Sequence, residues 1–267
     1  MEIASRRNET LKGIRRLRRR QGDHALLEGP HLLREAVAAG LRLESVLLSD
    51  ELAATAEGQA LARLSPRPPL LVAAGILAEL CDADAPRGVL AVARLPRGGA
   101  ETLTPRAAGV SLYVDGVQDP GNLGALARVA EAFGADCLAL GPGSCHPNHP
   151  RALRASAGSL LRLPAAVRVE PAALDERWHE LGRSPRWVGL VAHGGAPLPA
   201  RPPTEALILA LGAERGGLSA AVEERLDEGW TIPLAAPVES LNVAVAAGIA
   251  LFALAAPLSR PSRESPR

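Results

Sequence analysis

The second half of the sequence alternates short apolar runs with helical segments, and this alternation constrains the fold more than any other feature. Each run is closed by glycine or a polar loop, and the runs are VSLYVDG, DCLALG, RWVGLVAHG, ALILALG and WTIPL. Continuous apolar strands separated by helices are typical of a parallel sheet covered on both faces. The sequence therefore predicts an α/β fold in which ligands bind at the loops that follow the strand C-termini.

The first half predicts a smaller α/β domain. The segment HALLEG, the helical stretch PHLLREAVAAG, the strand LESVLLS and the strand GVLAVARL alternate in a similar way. Proline and glycine are then frequent in PRGGAETLTPRAAG, which is typical of a linker, and the last nine residues have no apolar side chain. We expect an N-terminal domain, a linker, a second domain and a disordered tail, over residues 1–95, 96–108, 109–257 and 258–267.

Positive charge is concentrated at the N-terminus. The whole chain has 30 basic and 29 acidic residues, but residues 1–20 contain eight Lys or Arg against two Glu. A basic arm on a mildly acidic body suits contact with a phosphate backbone. Charge alone supports a solvated arginine-rich helix equally well, and Leu11, Ile14 and Leu17 would lie on one side of that helix.

Cysteine usage and hydropathy indicate a soluble, cytoplasmic protein. Cys81, Cys137 and Cys145 are an odd number without CxxC spacing, which predicts neither a disulfide framework nor a structural zinc site. The basic N-terminus has no apolar segment behind it, so no signal peptide is expected. Residues 241–258 are long enough to be considered as a membrane helix, but their many alanines favour a buried helix of a soluble domain.

The first predicted loop, DPGNLGALARVA, passes from a turn into a helix, with Asn122 or Gly121 as the candidate turn residue and Asn122 as a candidate cap. Gly124 and Arg128 are four positions apart and share a helix face. We expect Arg128 to lie back across the gap left by Gly124, toward the free N–H groups of the helix start. A phosphate or a developing oxyanion is held in this way. The alternative is a structural ion pair of Arg128 with Asp115 or Asp119.

The second loop, LILALGAERGGLS, places Glu214 in a turn that contains Gly216 and Gly217. These glycines permit positive φ and close approach of a ligand to the backbone. The loop is not a P-loop, because no Lys followed by Ser or Thr follows the glycines. An ordinary glycine-rich turn is the alternative interpretation.

The third loop, TIPLAAPVESLNVAVAAGIALFAL, leads from a strand that ends at Pro233–Leu234 into a helix that is apolar on nearly all sides. We expect this helix to begin near Ser240, with Ser240 as its N-cap, and Asn242 to lie inside it. A buried amide must be hydrogen-bonded, because leaving it unpaired costs about 1–3 kcal/mol.

Together the three loops resemble the three signature motifs of the SpoU/TrmH family of RNA ribose 2′-O-methyltransferases, in the SPOUT superfamily. The matching stretches are DPGNLGALARVAEAFG, LGAERGGLS and IPLAAPVESLNVAVAAGIAL, with RASAGSLLRLP between the first two. The resemblance covers about residues 109–256. More loosely, LLEGPHLLREAV is similar to the family's smaller substrate-binding domain.

This resemblance implies a parallel sheet with a C-terminal trefoil knot, one of the rare exceptions to unknotted topology. It further implies S-adenosylmethionine bound in the knot and a homodimer in which two catalytic domains complete the site. The absence of GxGxxG spacing in DGVQDPGNLG agrees with cofactor recognition largely by backbone groups. The positions that match the family's cofactor wall are Ala192, Gly212, Ile232 and Leu241.

The resemblance also assigns catalytic roles by position. Arg128 matches the family's catalytic arginine, and because an arginine is a poor base we favour stabilisation of an alkoxide over proton abstraction. The other matched polar residues are Asn122, Glu214, Ser240 and Asn242.

The expected substrate is a structured RNA. Ribosomal RNA is preferred over transfer RNA, because a separate N-terminal domain and a basic arm suggest an extended substrate-binding surface. The residues expected to face RNA are Arg15, Arg16, Arg19, His149, Arg151 and Arg154. No metal site is expected, since Cys145, His146 and His149 lack a fourth ligand. The alternatives are a non-catalytic RNA-binding or ribosome-assembly factor and a base methyltransferase.

Overall fold

The protein folds around two β-sheets, as seen in a computed structural model that describes residues 2–3, 8–19, 22–82, 87–199 and 201–255. The predicted tail over 258–267 and three arginines of the basic arm, Arg6, Arg7 and Arg20, lie outside the described residues. No helix within the described ranges is long and apolar enough to cross a membrane.

The N-terminal sheet has five strands in the order β1-β4-β3-β5-β2. The strands are β1 (Glu2–Ile3), β2 (His24–Glu28), β3 (Leu43–Ser49), β4 (Leu70–Val72) and β5 (Val89–Arg94). The accompanying helices are α1 (Glu9–Arg19), α2 (Pro30–Ala38), α3 (Asp50–Ala53), α4 (Ala56–Ala62) and α5 (Ala74–Leu80). Strand β5 runs antiparallel to both β2 and β3. The prediction of a small N-terminal α/β domain is confirmed.

The second sheet has seven strands in the order β10-β12-β9-β11-β6-β7-β8, and all of its pairings are parallel. The strands are β6 (Val110–Asp115), β7 (Leu138–Leu140), β8 (Ala165–Ala166), β9 (Arg186–Leu190), β10 (Ala196–Pro197), β11 (Leu207–Gly212) and β12 (Glu228–Thr231). The helices are α6 (Pro120–Ala132), α7 (Pro150–Ala155), α8 (Ser159–Arg162), α9 (Pro171–Glu180), α10 (Ala220–Glu223) and α11 (Val243–Leu254). The predicted parallel α/β sheet is therefore confirmed.

Side-chain alternation along the central strands builds a core on each face of this sheet. Leu112 and Val114 of β6 join one cluster, whereas Tyr113 joins the cluster that contains Trp178 and Trp187 on the other face. Every residue of β6 is buried, as expected for a strand between two helical layers. Tyr113 and Trp187 pack with ring centroids 5.4 Å apart.

One predicted strand end differs from the structure. The run WTIPL was expected to continue to Leu234, but β12 ends at Thr231. Pro233 has no backbone N–H and cannot extend a parallel ladder. The early end leaves Ile232 and Leu234 beside the cavity described below.

The N-terminal domain and the parallel sheet are tied together by polar contacts. The Asn148 side-chain amide donates to the backbone carbonyls of Gly22 and Leu95, each at 2.7 Å. Arg162 pairs with Glu35 of α2 and with Glu131 of α6. The segment between the domains also packs on the protein, since Leu103 is fully buried.

Candidate functional site

A cavity of about 560 Å³ opens at the C-terminal ends of β9, β11 and β12. This is the edge where ligands bind in open parallel sheets. Seven of the residues singled out from the sequence line it, namely Ala192, Gly212, Glu214, Ile232, Ser240, Leu241 and Asn242. The structure thus brings the second and third loops together around one cavity.

The glycines of the second loop allow the chain to fold back on itself beside this cavity. Ala213 and Gly217 exchange backbone hydrogen bonds of 3.0 Å in each direction, and Gly217 has a φ of +66°. A Cβ on Gly212 would lie 2.2 Å from the Gly217 carbonyl carbon. A side chain at Gly212 would therefore force the loop off the end of β11, and the turn presents Glu214 at the cavity as a consequence.

Asn122 connects the first loop to the same cavity, although it is not the helix cap. Asp119 caps α6, accepting a hydrogen bond of 2.9 Å from the Asn122 backbone N–H. The Asn122 side chain is consequently free, and its amide donates to Glu214. The structure corrects the expected turn role and places the Asn122 amide against Glu214 from the second motif.

Asn242 completes this connection from the third loop. Its amide Nδ2 donates to Oδ1 of Asn122 at 2.8 Å. Its own Oδ1 accepts from the backbone N–H groups of Ala244 and Val245, at 3.0 and 3.3 Å. Asn242, Asn122 and Glu214 therefore form a hydrogen-bonded chain that links all three motifs.

The start of α11 differs from the expectation at two residues. The helix begins at Val243 with Asn242 as its N-cap, so Ser240 is not the cap. Asn242 is exposed rather than buried within the helix, and Ser240 is also exposed. Asn242 is the cap because it lies directly before Val243, so that its side-chain oxygen reaches the free N–H groups of Ala244 and Val245.

Arg128 lies on the exposed side of α6 and not in the gap at Gly124. A Cβ on Gly124 would meet the Ala152 carbonyl oxygen at 2.5 Å, because α7 fills that space. The expected role of Gly124 is therefore wrong, since the glycine permits close helix packing.

The ion pair that was the alternative for Arg128 is also not formed. Asp115 accepts from the Ser219 N–H at 2.6 Å, and Asp119 pairs with Arg151 at 3.6 Å. Within the described ranges no carboxylate pairs with Arg128, so its guanidinium is available to a ligand.

The residues expected to face RNA fall into two groups. On α1, Arg16 and Arg19 are exposed, while Arg15 is half-buried and lies 3.7 Å from a Glu79 oxygen. In the loop after β7, His149 caps α7 by accepting from the Arg151 N–H at 3.1 Å.

Arg154 has a different environment from the one expected. Its guanidinium pairs with the buried Glu28 of β2 and lies 3.5 Å from Asp82. Asp82 also accepts from Arg18 of α1 at 3.0 Å. Arg154 is therefore neutralised by carboxylates of the N-terminal domain, and it fixes that domain against α7 rather than presenting a free cation.

Two features of the site had no clear signal in the sequence. Glu223 of α10 lines the cavity, although no motif contains it. Beside the cavity, a groove of about 440 Å³ runs between α6 and α11, and Asn242 lines both. Its apolar side chains are exposed: Val245 by 51%, Ile249 by 39% and Phe252 by 70%. Only the all-round apolar pattern of α11 could have predicted this exposure.

The cysteines have no reactive or metal-binding environment. Burial raises the pKa of the Cys81 and Cys137 thiols to about 12 and that of Cys145 to about 11, so all three are protonated near neutral pH. All three are free thiols. Within the part of the chain that the structure describes, no group of three or more His, Cys, Asp or Glu could hold a metal ion.

Comparisons with known proteins agree with this arrangement. Residues 109–252 match the model of the SpoU rRNA Methylase family, and residues 8–91 match the MRM3-like substrate binding domain. A 23S rRNA (guanosine(2553)-2'-O)-methyltransferase of Bacillus subtilis is 30% identical over 257 residues, covering 95% of this chain and 98% of that protein.

Solved structures show the same architecture. The SpoU methyltransferase AviRb of Streptomyces viridochromogenes, in complex with the cofactor AdoMet, superposes with a TM-score of 0.82 at 28% identity and covers 93% of this chain and 97% of its own. An RNA 2'-O ribose methyltransferase superposes with a TM-score of 0.77 at 28% identity, over 95% of this chain and 98% of its own. With its parallel sheet, its three converging loops and these matches over nearly its whole length, the chain belongs to the SpoU rRNA methylase family.

Proposed function

We propose that the protein transfers the methyl group of S-adenosylmethionine to a ribose 2′-oxygen of ribosomal RNA. The observation that carries this proposal is the hydrogen-bonded chain from Asn242 through Asn122 to Glu214. It places polar groups from three separate motifs at the rim of one cavity, and the exposed Arg128 follows on the same helix as Asn122. The related enzymes of known activity support the same chemistry.

The cavity suits the proposed cofactor in size and charge. A volume of about 560 Å³ lies within the usual range for cofactor sites. Glu214 and Glu223 are the charged residues among its described lining, and both are acidic. S-adenosylmethionine has a net positive charge, because it carries a sulfonium and an ammonium group but only one carboxylate. The methyl group on its sulfonium is the group that is transferred. Backbone groups near Gly212, Ile232 and Leu241, with Ala192, would hold its adenine.

The chain's own residues would orient the ribose and stabilise the charge that develops on its oxygen. The 2′-hydroxyl must release its proton to solvent as the new O–CH3 bond forms and the S–CH3 bond breaks, so negative charge grows on that oxygen. Arg128 would stabilise this charge, since a fixed guanidinium favours an alkoxide but is too weak a base to remove the proton. Asn122 is held between Glu214 and Asn242, which fixes its amide for an oriented contact. Ser240 would add a hydroxyl at the same rim.

The apolar groove supports a homodimer of the catalytic domains. Val245, Ile249 and Phe252 of α11 are exposed, and three exposed apolar side chains on one helix are unusual for the surface of a monomer. Phe252 packs edge-on against Phe133, at the end of α6, with ring centroids 5.9 Å apart. Asn242 lines both the groove and the cofactor cavity. A second copy seated on the groove would therefore approach the site, with α11 buried in a C-terminal trefoil knot as the family implies.

The domain organisation supports recognition of a large RNA. We place substrate binding in residues 1–95, joined by residues 96–108 to the catalytic domain at 109–257. Arg16 and Arg19 of α1 and Arg151 near the site are exposed cations that suit phosphate contacts. Three free cysteines are consistent with a reducing, cytoplasmic setting.

The proposal is tested by incubating the purified protein with isotopically labelled S-adenosylmethionine and unmodified ribosomal or transfer RNA. We expect label in large-subunit ribosomal RNA, at one linkage that resists alkaline cleavage because its 2′-oxygen is methylated. Label on a base after digestion to nucleosides would contradict the reaction. Binding of RNA without any transfer would instead support the non-catalytic alternative.

A further inference from the structure

A second polar cavity lies on the same edge of the parallel sheet, beside β7 and β8, and neither the sequence motifs nor the proposed cofactor uses it. It has a volume of about 290 Å³, and we call it the Arg168 pocket. Its polar lining comes from the loop after β7, with Ser144, Cys145 and His146, and from Arg168, which follows β8.

Arg168 is held in an uncommon backbone conformation. Its φ is +53°, in the left-handed region that favours glycine and asparagine. The neighbours on both sides impose this conformation, because the Val167 N–H donates to the Gly98 carbonyl and the Val169 N–H donates to the Leu140 carbonyl, each at 2.9 Å. The Tyr113 hydroxyl also donates to the Val169 carbonyl at 2.8 Å. The fold thus maintains a strained arginine at a cavity edge, which is a feature of ligand sites.

Two arginines, Arg168 and Arg97, carry positive charge in and near the pocket. Among the described residues no carboxylate pairs with Arg168, which is exposed. Arg97 is mostly buried, and it donates to the Asn148 side chain and to the Leu160 carbonyl rather than to an acid. Desolvation, followed by repulsion from Arg97 and Arg168, lowers the pKa of His146 to about 4; attraction by Asp23 opposes this shift and a smaller repulsion from His149 adds to it.

His146 lines the pocket, and one of its ring nitrogens is engaged by the backbone. Its Nδ1 accepts from the Asn148 backbone N–H at 3.1 Å, so the proton of the neutral ring lies on Nε2. A neutral N–H and a guanidinium at one small cavity form a donor set for a phosphate oxygen. An amine or a metal ion would be repelled by the same charges.

The pocket is connected to the catalytic loop through its backbone. The Ser144 hydroxyl donates to the Val114 carbonyl at 2.9 Å and accepts from the Gly116 N–H at 3.0 Å. The Cys145 N–H donates to the Val117 carbonyl at 2.8 Å. Residues 116–119 lead directly into α6, which carries Asn122 and Arg128. A ligand bound in the pocket would therefore be held at a fixed position relative to Asn122 and Arg128.

We propose that the Arg168 pocket binds a backbone phosphate of the RNA substrate, with Arg168 and the Nε2–H of His146 as donors. The proposal rests on the proposed function, since it assigns a phosphate subsite to the same substrate. It predicts that Arg168 contributes to RNA affinity in a sequence-independent, salt-dependent manner.

Two variants test the proposal against a purely structural role. Arg168→Asn removes the cation and suits a left-handed backbone, whereas Arg168→Lys keeps a cation at the same strained position. RNA affinity is measured by fluorescence anisotropy with unmodified large-subunit ribosomal RNA, over about 0.05 to 0.3 M salt. Thermal unfolding and S-adenosylmethionine affinity are measured in parallel.

We expect Arg168→Asn to weaken RNA binding about 5- to 20-fold and to reduce the slope of log affinity against log salt by about one. Its stability and cofactor affinity should equal or exceed those of the wild type. Arg168→Lys should retain most of the slope. Wild-type RNA affinity and slope in Arg168→Asn would overturn the proposal, as would a loss of binding that merely follows a loss of stability.

Failure of the proposed function gives a different pattern. A wild-type protein that methylates ribose while Arg168→Asn binds RNA normally contradicts only the phosphate subsite. A wild-type protein that binds RNA through Arg168 but methylates no ribose contradicts only the reaction. A wild-type protein that binds no RNA contradicts both.

Discussion

Asn242 donates a hydrogen bond of 2.8 Å to Asn122, a residue 120 positions earlier in the chain. The same Asn242 caps α11 through its carbonyl oxygen, so one side chain both starts a helix and holds a second asparagine in place. Asn122 in turn donates to Glu214. The geometry of the site therefore depends on two helix starts and one loop that only the folded sheet brings together.

The two roles of Asn242 can be separated by substitution. Asn242→Ser keeps a good N-cap but is too short to reach Asn122, whereas Asn242→Ala removes both interactions. We expect only Asn242→Ala to lower the free energy of unfolding appreciably, by about 1 kcal/mol. Both variants should lose methyl transfer by about 10- to 100-fold. Denaturant unfolding and single-turnover rates measure the two effects. Full activity in Asn242→Ser would mean that the link to Asn122 is not needed.

Arg128 should affect chemistry and not cofactor binding. Arg128→Ala removes the proposed stabilisation of the developing alkoxide, and we expect methyl transfer to fall by about 10²- to 10³-fold or more. Calorimetric affinity for S-adenosylmethionine should be unchanged, because Arg128 does not line the cavity. Arg128→Lys should restore activity only in part, since an ammonium lacks the planar fork of the guanidinium. Retention of full activity in Arg128→Ala would remove this residue from the mechanism.

Gly124 should be required for packing. Gly124→Ala places a Cβ about 2.5 Å from a carbonyl oxygen of α7, and backbone must move to relieve the clash. We expect a loss of about 2–3 kcal/mol in the free energy of unfolding, measured with urea. Gly13→Ala in α1 is the matched control, because nothing lies within 4 Å of its added Cβ. That control should be neutral or slightly stabilising, as alanine favours helix over glycine. Equal stability of the two variants would contradict the packing role.

We expect the free energy of unfolding to decrease as the pH falls, in part because of His146. The folded protein lowers the pKa of this histidine from 6.5 to about 4, mainly by desolvation, so the unfolded chain takes up a proton first as the pH drops. The stabilisation from a neutral His146 is complete above about pH 6.5 and is lost as the pH falls toward 4. We expect His146→Gln to flatten the pH dependence of the unfolding free energy between these values. Replacement of the exposed His179 serves as the comparison, and equal effects of the two would count against this account.

The groove between α6 and α11 should mediate dimer formation. Phe252→Asp places a charge at its most exposed apolar position, and we expect the protein to become monomeric in light scattering. Methyl transfer should fall with it, because the site lies beside the groove. Val238→Asp, at an exposed apolar residue outside the groove lining, is the matched control and should remain dimeric. A monomeric wild type, or a dimer unaffected by Phe252→Asp, would contradict the proposed interface.

The sheet and the cavity residues could be predicted because their signals are local. Apolar runs such as VSLYVDG indicate strands that are buried on both faces of the sheet. The loops that follow such strands line the cavity, as expected. The role of Gly124 could not be predicted, because the neighbour that occupies its space comes from α7, about 30 residues later.

The groups that a polar side chain contacts also could not be predicted from local sequence patterns. The loop sequence suggested that Arg154 faces RNA, but Glu28 and Asp82 of the other domain neutralise it. Likewise, Ser240 and Asn242 are both good cap residues, and the point where α11 begins decides between them. Interactions over long sequence separations therefore determined the roles of Gly124 and Arg154, whereas the two helix caps depend on where each helix begins.

The position of the transferred methyl group tests the proposed reaction and the role of Arg128 together. Large-subunit ribosomal RNA that has reacted with labelled S-adenosylmethionine and the wild-type protein is digested to nucleosides and analysed by mass spectrometry, with Arg128→Ala as the comparison. We expect a single 2′-O-methylated nucleoside that is absent with Arg128→Ala. A methylated base, or an equal yield of ribose methylation from the variant, would contradict this expectation.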